Sequence, residues 1–115
     1  MNDVRIERTR WASEVEREAM IGIRHEVFVV EQEVPIEIEL DGADPDCHHL
    51  LAFDPNGRSI GTARMQANGH IGRIAILPEH RGAGLGDQLM RAIIEHAQAQ
   101  GMDELLLSAQ THAIA

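Results

Sequence analysis

The chain has 115 residues, 43% of them hydrophobic, and a formal net charge of −9. This length allows one domain, residues 1–115, with a single compact core. The acidic balance argues against a protein that grips nucleic acid through a broad basic surface. All ten cations are arginines, so lysine chemistry such as a Schiff base or a phosphate-loop lysine is excluded.

The sequence also favours a cytoplasmic protein that does not enter a membrane. No apolar run is long enough to cross a bilayer, and the first residues lack the apolar core of a signal sequence. Cys47 is the single cysteine and cannot form an internal disulfide, which agrees with a reducing compartment. The acidic surface favours a cationic substrate such as an amine, or it serves solubility alone.

The first third of the chain predicts one strand and one long helix. A short strand is expected at residues 4–6. Ser13 and Glu16 have the spacing of a capping box, and apolar residues recur at helical intervals after them. These signals predict a helix over residues 14–30, which would break near Gly22 if it breaks at all. Residues 34–46 are rich in acids and turn formers and are expected to form a loop.

The rest of the chain predicts a sheet and a second helix. Turn signals DPNG and ANG separate three strand-length segments, which predicts an antiparallel meander. The segments are CHHLLAF, SIGTARMQ and HIGRIAIL, at residues 47–53, 59–66 and 70–77. An amphipathic helix should follow and end at Gly101. ELLLSA then forms a fifth strand, parallel to the strand before the helix. The fold class is α+β.

The segment LPEHRGAGLG, between the third of these strands and the helix, is typical of an anion site. Free N–H groups of the first helical turn and the helix dipole favour negative charge, and glycines let a phosphate reach the backbone. Arg81 adds a charged donor. The dinucleotide pattern fails because Asp87 and Leu89 stand where it needs glycine, and the Walker loop needs a lysine. A tight connection with glycines for packing alone is the alternative.

A resemblance to a known family narrows these alternatives. The run Arg81-Gly82-Ala83-Gly84-Leu85-Gly86 matches the R/Q-x-x-G-x-G/A signature of the GNAT superfamily of acetyl-CoA-dependent N-acyltransferases. Further matches occur in order along nearly the whole chain and resemble the ElaA-like branch. They are VFVVEQEVP, ELDGAD, His49 before a strand, IGTARM, GRIAI and Ala109-Gln110.

The resemblance implies a fold, a cofactor and an activity. The GNAT fold has a mixed, mostly antiparallel sheet flanked by helices. Its strand before the glycine turn, here residues 72–77, separates from its neighbour and pairs with the pantetheine arm through Ile74, Ala75 and Ile76. Residues 81–86 would hold the pyrophosphate of acetyl-CoA. The implied reaction transfers the acetyl group to a primary amine of a small molecule or peptide, by direct attack in a ternary complex.

The amine must lose a proton before it attacks, so a base or a water chain is needed. Glu31 matches the EQ of the family and is the favoured general base. Glu33, Glu39 and Asp41 are the other candidates, and each is alternatively a solvated carboxylate.

The segment DPDCHH invites interpretation as a metal site. His48 and His49 would point to opposite faces of a strand, so they cannot easily share one ion, and no metal is expected. His49 is expected to bind the acidic loop through a hydrogen bond, or to pack.

The chain departs from the family in one respect. Family members usually continue with a further helix and strand, and in many a tyrosine from that helix protonates the leaving thiolate; this sequence ends at AQTHAIA and has no tyrosine. We therefore expect either a truncated domain or one completed by a partner chain, with a homodimer forming at the sheet edge beside ELLLSA. A coenzyme-A-binding module without turnover is the alternative function, and a scaffold without a cofactor is the third.

Overall fold

The computed structural model describes residues 4–40, 42–82, 84–101 and 106–107. One five-stranded sheet has the order β1-β2-β3-β4-β5. The strands are β1 (Arg5–Thr9), β2 (His48–Phe53), β3 (Ser59–Met65), β4 (His70–Ile76) and β5 (Leu106–Leu107). The helices are α1 (Glu14–Arg24), which continues as a π-helical segment (His25–Glu31), the short α2 (Ile36–Glu39) and α3 (Leu85–Ala99). Two 3₁₀ turns, Asp44–Asp46 and Pro78–His80, complete the described elements.

The sheet has the predicted meander and crossover. Strands β1 to β4 pair antiparallel in chain order, and β5, which follows α3, pairs parallel to β4. Asp54 begins the β2–β3 turn, where its side chain accepts hydrogen bonds from the N–H groups of Asn56 and Arg58 at 2.9 Å. The α+β prediction is confirmed, with β1 lying later than expected, since residues 4–6 overlap it only in part.

Two apolar layers cover the sheet, one on each face. Leu89 and Ile93 of α3 pack on one face, and Met20 and Phe28 of the first helical region pack on the other; all four are fully buried. Helix α3 lies close to β3 because Gly61 has no side chain. A Cβ there would lie 3.2 Å from Leu89 Cδ1 and 3.3 Å from the Ala75 carbonyl oxygen, so a larger residue would push the helix outward.

Helix α1 begins where the sequence predicts. The Ser13 hydroxyl accepts a hydrogen bond from the Glu16 N–H at 3.4 Å, whereas the Glu16 carboxylate bonds the N–H of Arg10 at 2.6 Å. The helix runs unbroken through Gly22, where a break was possible. Its geometry instead changes at His25, where π-helical bonding begins. Wider turns of this kind occur often at functional sites.

Residues 34–46, expected to form a loop, contain α2 and the 3₁₀ turn Asp44–Asp46. This correction has a physical reason, because each element carries a carboxylate, Glu39 or Asp44, that is buried against Arg24. The two ion pairs hold a segment whose composition is otherwise typical of a loop. Within the described ranges, no helix has the length and apolar character that a membrane span requires.

Candidate functional site

The turn between β4 and α3 has a left-handed backbone at two glycines. Gly82 has φ +84° and Gly84 has φ +83°, a region that strains residues with a side chain. A Cβ built on either glycine would meet no atom within 4 Å, so both face open space. Ala83, between them, lies outside the described residues. The turn therefore presents bare backbone to any molecule that approaches it.

The first turn of α3 has N–H groups without a side-chain cap. Gly84 occupies the cap position, and the first helical hydrogen bond runs from the Gln88 N–H to the Gly84 carbonyl at 3.1 Å. The N–H groups of Leu85, Gly86 and Asp87 precede that bond and have no acceptor within the helix. Such groups, together with the helix dipole, favour an anion.

Arg81 and Glu31 are brought together from positions 50 residues apart. Arg81 Nη1 lies 2.5 Å from Glu31 Oε2, and Arg81 Nη2 lies 2.7 Å from Glu31 Oε1, so the pair is bidentate. Arg81 Nε donates to the Ile76 carbonyl oxygen at 2.9 Å. The hydrogen bond from Arg81 holds the pKa of Glu31 below its ordinary value. The favoured base and the charged residue of the glycine turn are therefore direct partners.

The residues predicted to face the pantetheine arm lie in the second half of β4. Ile74 and Ile76 pack beneath α3, and Ala75 packs on the opposite face, as the alternation of a strand requires. A β-bulge precedes them, since Arg73 and Ile74 together stand opposite Ala63 of β3, and Arg73 has φ +50°. A bulge bends the strand that carries it, so β4 changes direction before Ala75.

The predicted separation of residues 72–77 from the neighbouring strand is not tested by the described residues. Pairing between β4 and β5 is described at His70 with Leu106 and at Ile71 with Leu107. Residues 108–110 lie outside the described part of the chain.

The four candidate bases occupy different environments. Glu31 is half-exposed and Glu33 is exposed, with a left-handed backbone at Glu33. Glu39 is buried and pairs with Arg24 at 2.7 Å and with Arg73 at 3.2 Å. Asp41 lies outside the described residues. Burial between two arginines overturns Glu39 as an accessible base, because that carboxylate is already the partner of two cations.

A buried cluster of charged side chains joins α1 to α2, to the Asp44–Asp46 turn and to the sheet. We call it the Arg24 cluster, and it comprises Arg24, Glu39, Asp44, Arg64 and His49. Arg24 Nη1 lies 2.8 Å from Asp44 Oδ1, and Arg64 Nη1 lies 3.2 Å from the same oxygen. Burial by itself raises the pKa of Asp44, but hydrogen bonds and charge from the two arginines outweigh it and hold that pKa below its ordinary value. Asp44 is therefore ionised inside the protein.

The two neighbouring histidines point to different sides of the sheet, as expected. His49 Nε2 donates to the Asp44 carbonyl oxygen at 2.9 Å, which confirms the predicted bond to the acidic segment. His48 Nδ1 lies 3.0 Å from Nε2 of His96 on α3. Burial lowers the pKa of both His49 and His96. Among the residues that the structure describes, no three His, Cys, Asp or Glu side chains are grouped as metal ligands.

Comparison with known proteins decides what kind of site this is. The sequence model of the Acetyltransferase (GNAT) family matches residues 10–115. The chain belongs to this family. It is 36% identical over 95 residues to the uncharacterized N-acetyltransferase YjcF of Bacillus subtilis, an alignment that covers 80% of the chain and 67% of YjcF. The site therefore lies in an enzyme of the acetyltransferase class.

Solved structures agree with the sequence comparison. A crystal structure of an acyl-CoA N-acyltransferase from Pseudomonas aeruginosa has a TM-score of 0.82 at 35% identity, covering 96% of this chain and 82% of that one. Escherichia coli ElaA has a TM-score of 0.83 at 28% identity and covers 95% and 80%. The aminoglycoside N-acetyltransferase AAC(6')-Iy, solved in complex with CoA, shares the fold alone, with a TM-score of 0.71 at 18% identity. The predicted GNAT fold and the likeness to ElaA are confirmed.

The sequence gives no signal for the contact between Glu31 and Arg81, and only a faint one for the burial of Arg24. Nothing in the sequence pairs Glu31 with Arg81, because they come together only when α1 packs on the sheet. Arg24 does have a signal, since it follows Ile23 and lies four residues after Met20, on the apolar side of the helix. A lone cation at such a position indicates a buried anion nearby.

Proposed function

We propose that the protein transfers an acetyl group from acetyl-CoA to a primary amine. The pyrophosphate would rest on the backbone of the turn formed by Arg81, Gly82, Ala83, Gly84, Leu85 and Gly86, with the pantetheine arm along Ile74, Ala75 and Ile76. One observation carries this proposal: α3 begins directly after two open, left-handed glycines, and no side chain caps the N–H groups of its first turn. The complex of AAC(6')-Iy with CoA supports the choice of ligand, since it shares this fold.

In the proposed reaction the amine nitrogen attacks the thioester carbonyl within a ternary complex. The N–C bond forms, the C–S bond breaks, and the electron pair leaves with the coenzyme A sulfur as a thiolate, which takes up the second proton that the nitrogen loses on becoming an amide. Backbone N–H groups of β4 beyond the bulge at Arg73 would stabilise the oxyanion that develops on the carbonyl. The chain holds its two substrates in place, and no covalent intermediate on the protein is needed.

The ammonium form of the acceptor must lose a proton, and Glu31 is the proposed acceptor of that proton. Its carboxylate is half-exposed, and its lowered pKa keeps it ionised at neutral pH, although a low pKa also makes it a weak base. If Glu31 is the base, Glu31→Gln lowers kcat at saturating acetyl-CoA and changes the acid limb of the pH–rate profile. If the acid limb of the profile is unchanged in Glu31→Gln, a chain of water molecules and not Glu31 removes the proton.

The acceptor class in this proposal is a primary amine of a small molecule or a peptide. The net charge of −9 favours a cationic acceptor, since an acidic surface attracts an ammonium group. Cytoplasmic residence, which the single cysteine favours, belongs to the same proposal. Pairing of two copies beside β5 stays a prediction.

Release of free thiol from acetyl-CoA tests the proposal. The purified chain is incubated with acetyl-CoA and a panel of amines that spans polyamines, aminoglycosides and peptides with free N-termini, and the thiol is measured with a chromogenic reagent. Amine-dependent release supports the proposed reaction. Tight acetyl-CoA binding without release from any amine selects the binding module instead.

A further inference from the structure

The contact between Glu31 and Arg81 joins two parts of the molecule that are far apart in sequence. Glu31 is the last residue of the π-helical segment after α1, and Arg81 is the residue before the first glycine of the turn. Both oxygens of Glu31 accept from the guanidinium, and this planar geometry is specific to an arginine–carboxylate pair. The pair therefore constrains orientation as well as distance.

Both ends of this contact are held firmly by the fold. Next to Glu31, the Gln32 N–H donates to the Val27 carbonyl at 3.2 Å, and Phe28, one helical turn earlier, is fully buried. On the other side, Leu77 precedes the turn and belongs to the same apolar layer as Phe28. The salt bridge thus lies at the edge of a packed interface, and it extends that interface to the first residue of the glycine turn.

Three of the five N–H donors of Arg81 bind the protein itself. Nε binds the Ile76 carbonyl at the end of β4, and both Nη atoms bind Glu31, so the side chain is only 21% exposed. These contacts tie the residue before the glycines both to the last residue of β4 and to the first helical region. The glycines that follow have little conformational restraint of their own. The contacts of Arg81 therefore restrain the backbone at the residue where the glycine turn begins.

We infer that Glu31 is a positioning residue, which through Arg81 fixes the glycine turn in the orientation that receives the pyrophosphate. The inference rests on the proposed function and deepens it. In this inference Arg81 helps to bind the cofactor by fixing the position of the backbone N–H groups. Its guanidinium remains paired with Glu31 when acetyl-CoA is bound. Preorganised N–H donors avoid an ordering cost on binding, so loosening the turn weakens affinity for the cofactor.

The matched variants are Glu31→Gln, Arg81→Gln and the double variant, with Glu79→Gln as the control. Glu79 is exposed and lies in the 3₁₀ turn before Arg81, where it pairs with Arg58 at 3.6 Å. Its substitution removes the same charge near the turn without removing a hydrogen bond to Arg81. Glu79→Gln should leave acetyl-CoA affinity unchanged or slightly improved.

The expected result is a change in the affinity for acetyl-CoA, measured by equilibrium binding without an acceptor amine. Each single variant should raise the Kd for acetyl-CoA about three- to fivefold, the scale of a half-exposed ion pair. The double variant should be no worse than the worse single variant, because the two residues act through one contact.

Three results would overturn the inference. Tighter acetyl-CoA binding by Glu31→Gln would show that the carboxylate competes with the pyrophosphate for Arg81. An unchanged Kd in Glu31→Gln, even with a fall in kcat, would leave Glu31 a role in proton transfer alone. Additive losses in the double variant would separate the two residues.

A second measurement decides the inference without any cofactor. Amide hydrogen exchange at Gly82, Leu85 and Gly86 should be faster in Glu31→Gln than in the parent, while amides of β2 and β3 stay unchanged. Unchanged exchange at the turn overturns the positioning role. If the parent chain does not bind acetyl-CoA at all, the proposed function fails, and the exchange experiment still reports on the salt bridge.

Discussion

Two arginine–carboxylate contacts of similar geometry lie in opposite environments in this protein. In the Arg24 cluster, Arg24 lies 2.7 Å from Glu39 and 2.8 Å from Asp44, with side chains no more than 4% exposed. At the glycine turn, Arg81 lies 2.5 Å and 2.7 Å from the oxygens of Glu31, whose side chain is 39% exposed. Solvent, rather than distance, distinguishes the two contacts.

The difference shows which contact the fold depends on. Removing one partner from a buried pair leaves a charge without water or a counterion, whereas an exposed charge is solvated at once. The Arg24 cluster therefore holds α2 and the Asp44–Asp46 turn against α1. The pair at the glycine turn contributes little to stability and is free to serve the site.

The largest expected effect comes from breaking the buried cluster. Asp44→Ala leaves Arg24 and Arg64 without their shared carboxylate and should lower the free energy of unfolding by about 3–5 kcal/mol. Asp46→Ala, an exposed position in the same 3₁₀ turn, is the control and should change stability by at most about 0.5 kcal/mol. Chemical denaturation of both variants measures the difference. Equal losses would mean that the cluster is no more important than the surface.

Acidification should lower the stability of the fold in two steps. Burial holds the pKa of His49 below that of an unfolded histidine, so its contribution is complete above about pH 6.5 and is lost as the pH falls toward the folded value. His96 acts with the same sign. The lowered pKa of Asp44 adds a second loss below about pH 4.

Denaturation midpoints between pH 7 and pH 3 test this sequence of losses. His49→Gln removes one titrating group and should flatten the upper step, while the lower step remains. Stability that rises on acidification from pH 7 to pH 5 would contradict the signs assigned to both histidines.

A smaller loss of stability is expected at the glycine turn, together with a large loss of binding. Gly84→Glu imposes a side chain on a left-handed backbone and should cost about 1–2 kcal/mol of folding free energy. Its Cβ meets no atom within 4 Å, so the domain should still fold, with the side chain and its charge in the space assigned to the pyrophosphate. Acetyl-CoA binding should be abolished.

Gly101→Glu is the matched control for that variant. Gly101 follows the far end of α3, has φ +80° and also faces open space. It should lose a similar amount of stability and keep its affinity for acetyl-CoA in calorimetry. Unchanged affinity in a folded Gly84→Glu variant would show that the glycine turn is only a connection.

The smallest change in stability is expected for the exposed pair. Glu31→Gln should lower the free energy of unfolding by less than about 1 kcal/mol, and added salt should reduce that difference. Urea denaturation at low and high salt measures it. A loss comparable with that of Asp44→Ala would remove the distinction between the two contacts.

Much of the fold follows from local patterns in the sequence. The turns DPNG and ANG, the Ser13 cap and the apolar face of α3 each act over a few residues, and the strands and helices lie close to where these signals put them. α2 could not be predicted, because Glu39 is held by Arg24, 15 residues away in sequence. The π-helical change at His25 has no local signal that we recognise.

The candidate site divides in the same way. The glycine turn is encoded within six consecutive residues, and its open, left-handed backbone is the conformation for which glycine is needed. The Glu31–Arg81 contact spans 50 residues and exists only after α1 has packed on the sheet. The proton acceptor is harder still to predict from the sequence, because four acids are candidates for the general base. Only the fold distinguishes buried Glu39 from half-exposed Glu31.

A crystal structure of the chain with acetyl-CoA tests the central claim most directly. The account predicts pyrophosphate oxygens within hydrogen-bonding distance of the N–H groups that begin α3, the pantetheine arm along Ile74 to Ile76, and Arg81 still paired with Glu31. A cofactor bound elsewhere would contradict the assignment of the turn. A cofactor on the turn, with Arg81 moved from Glu31 onto the pyrophosphate, would contradict the positioning role.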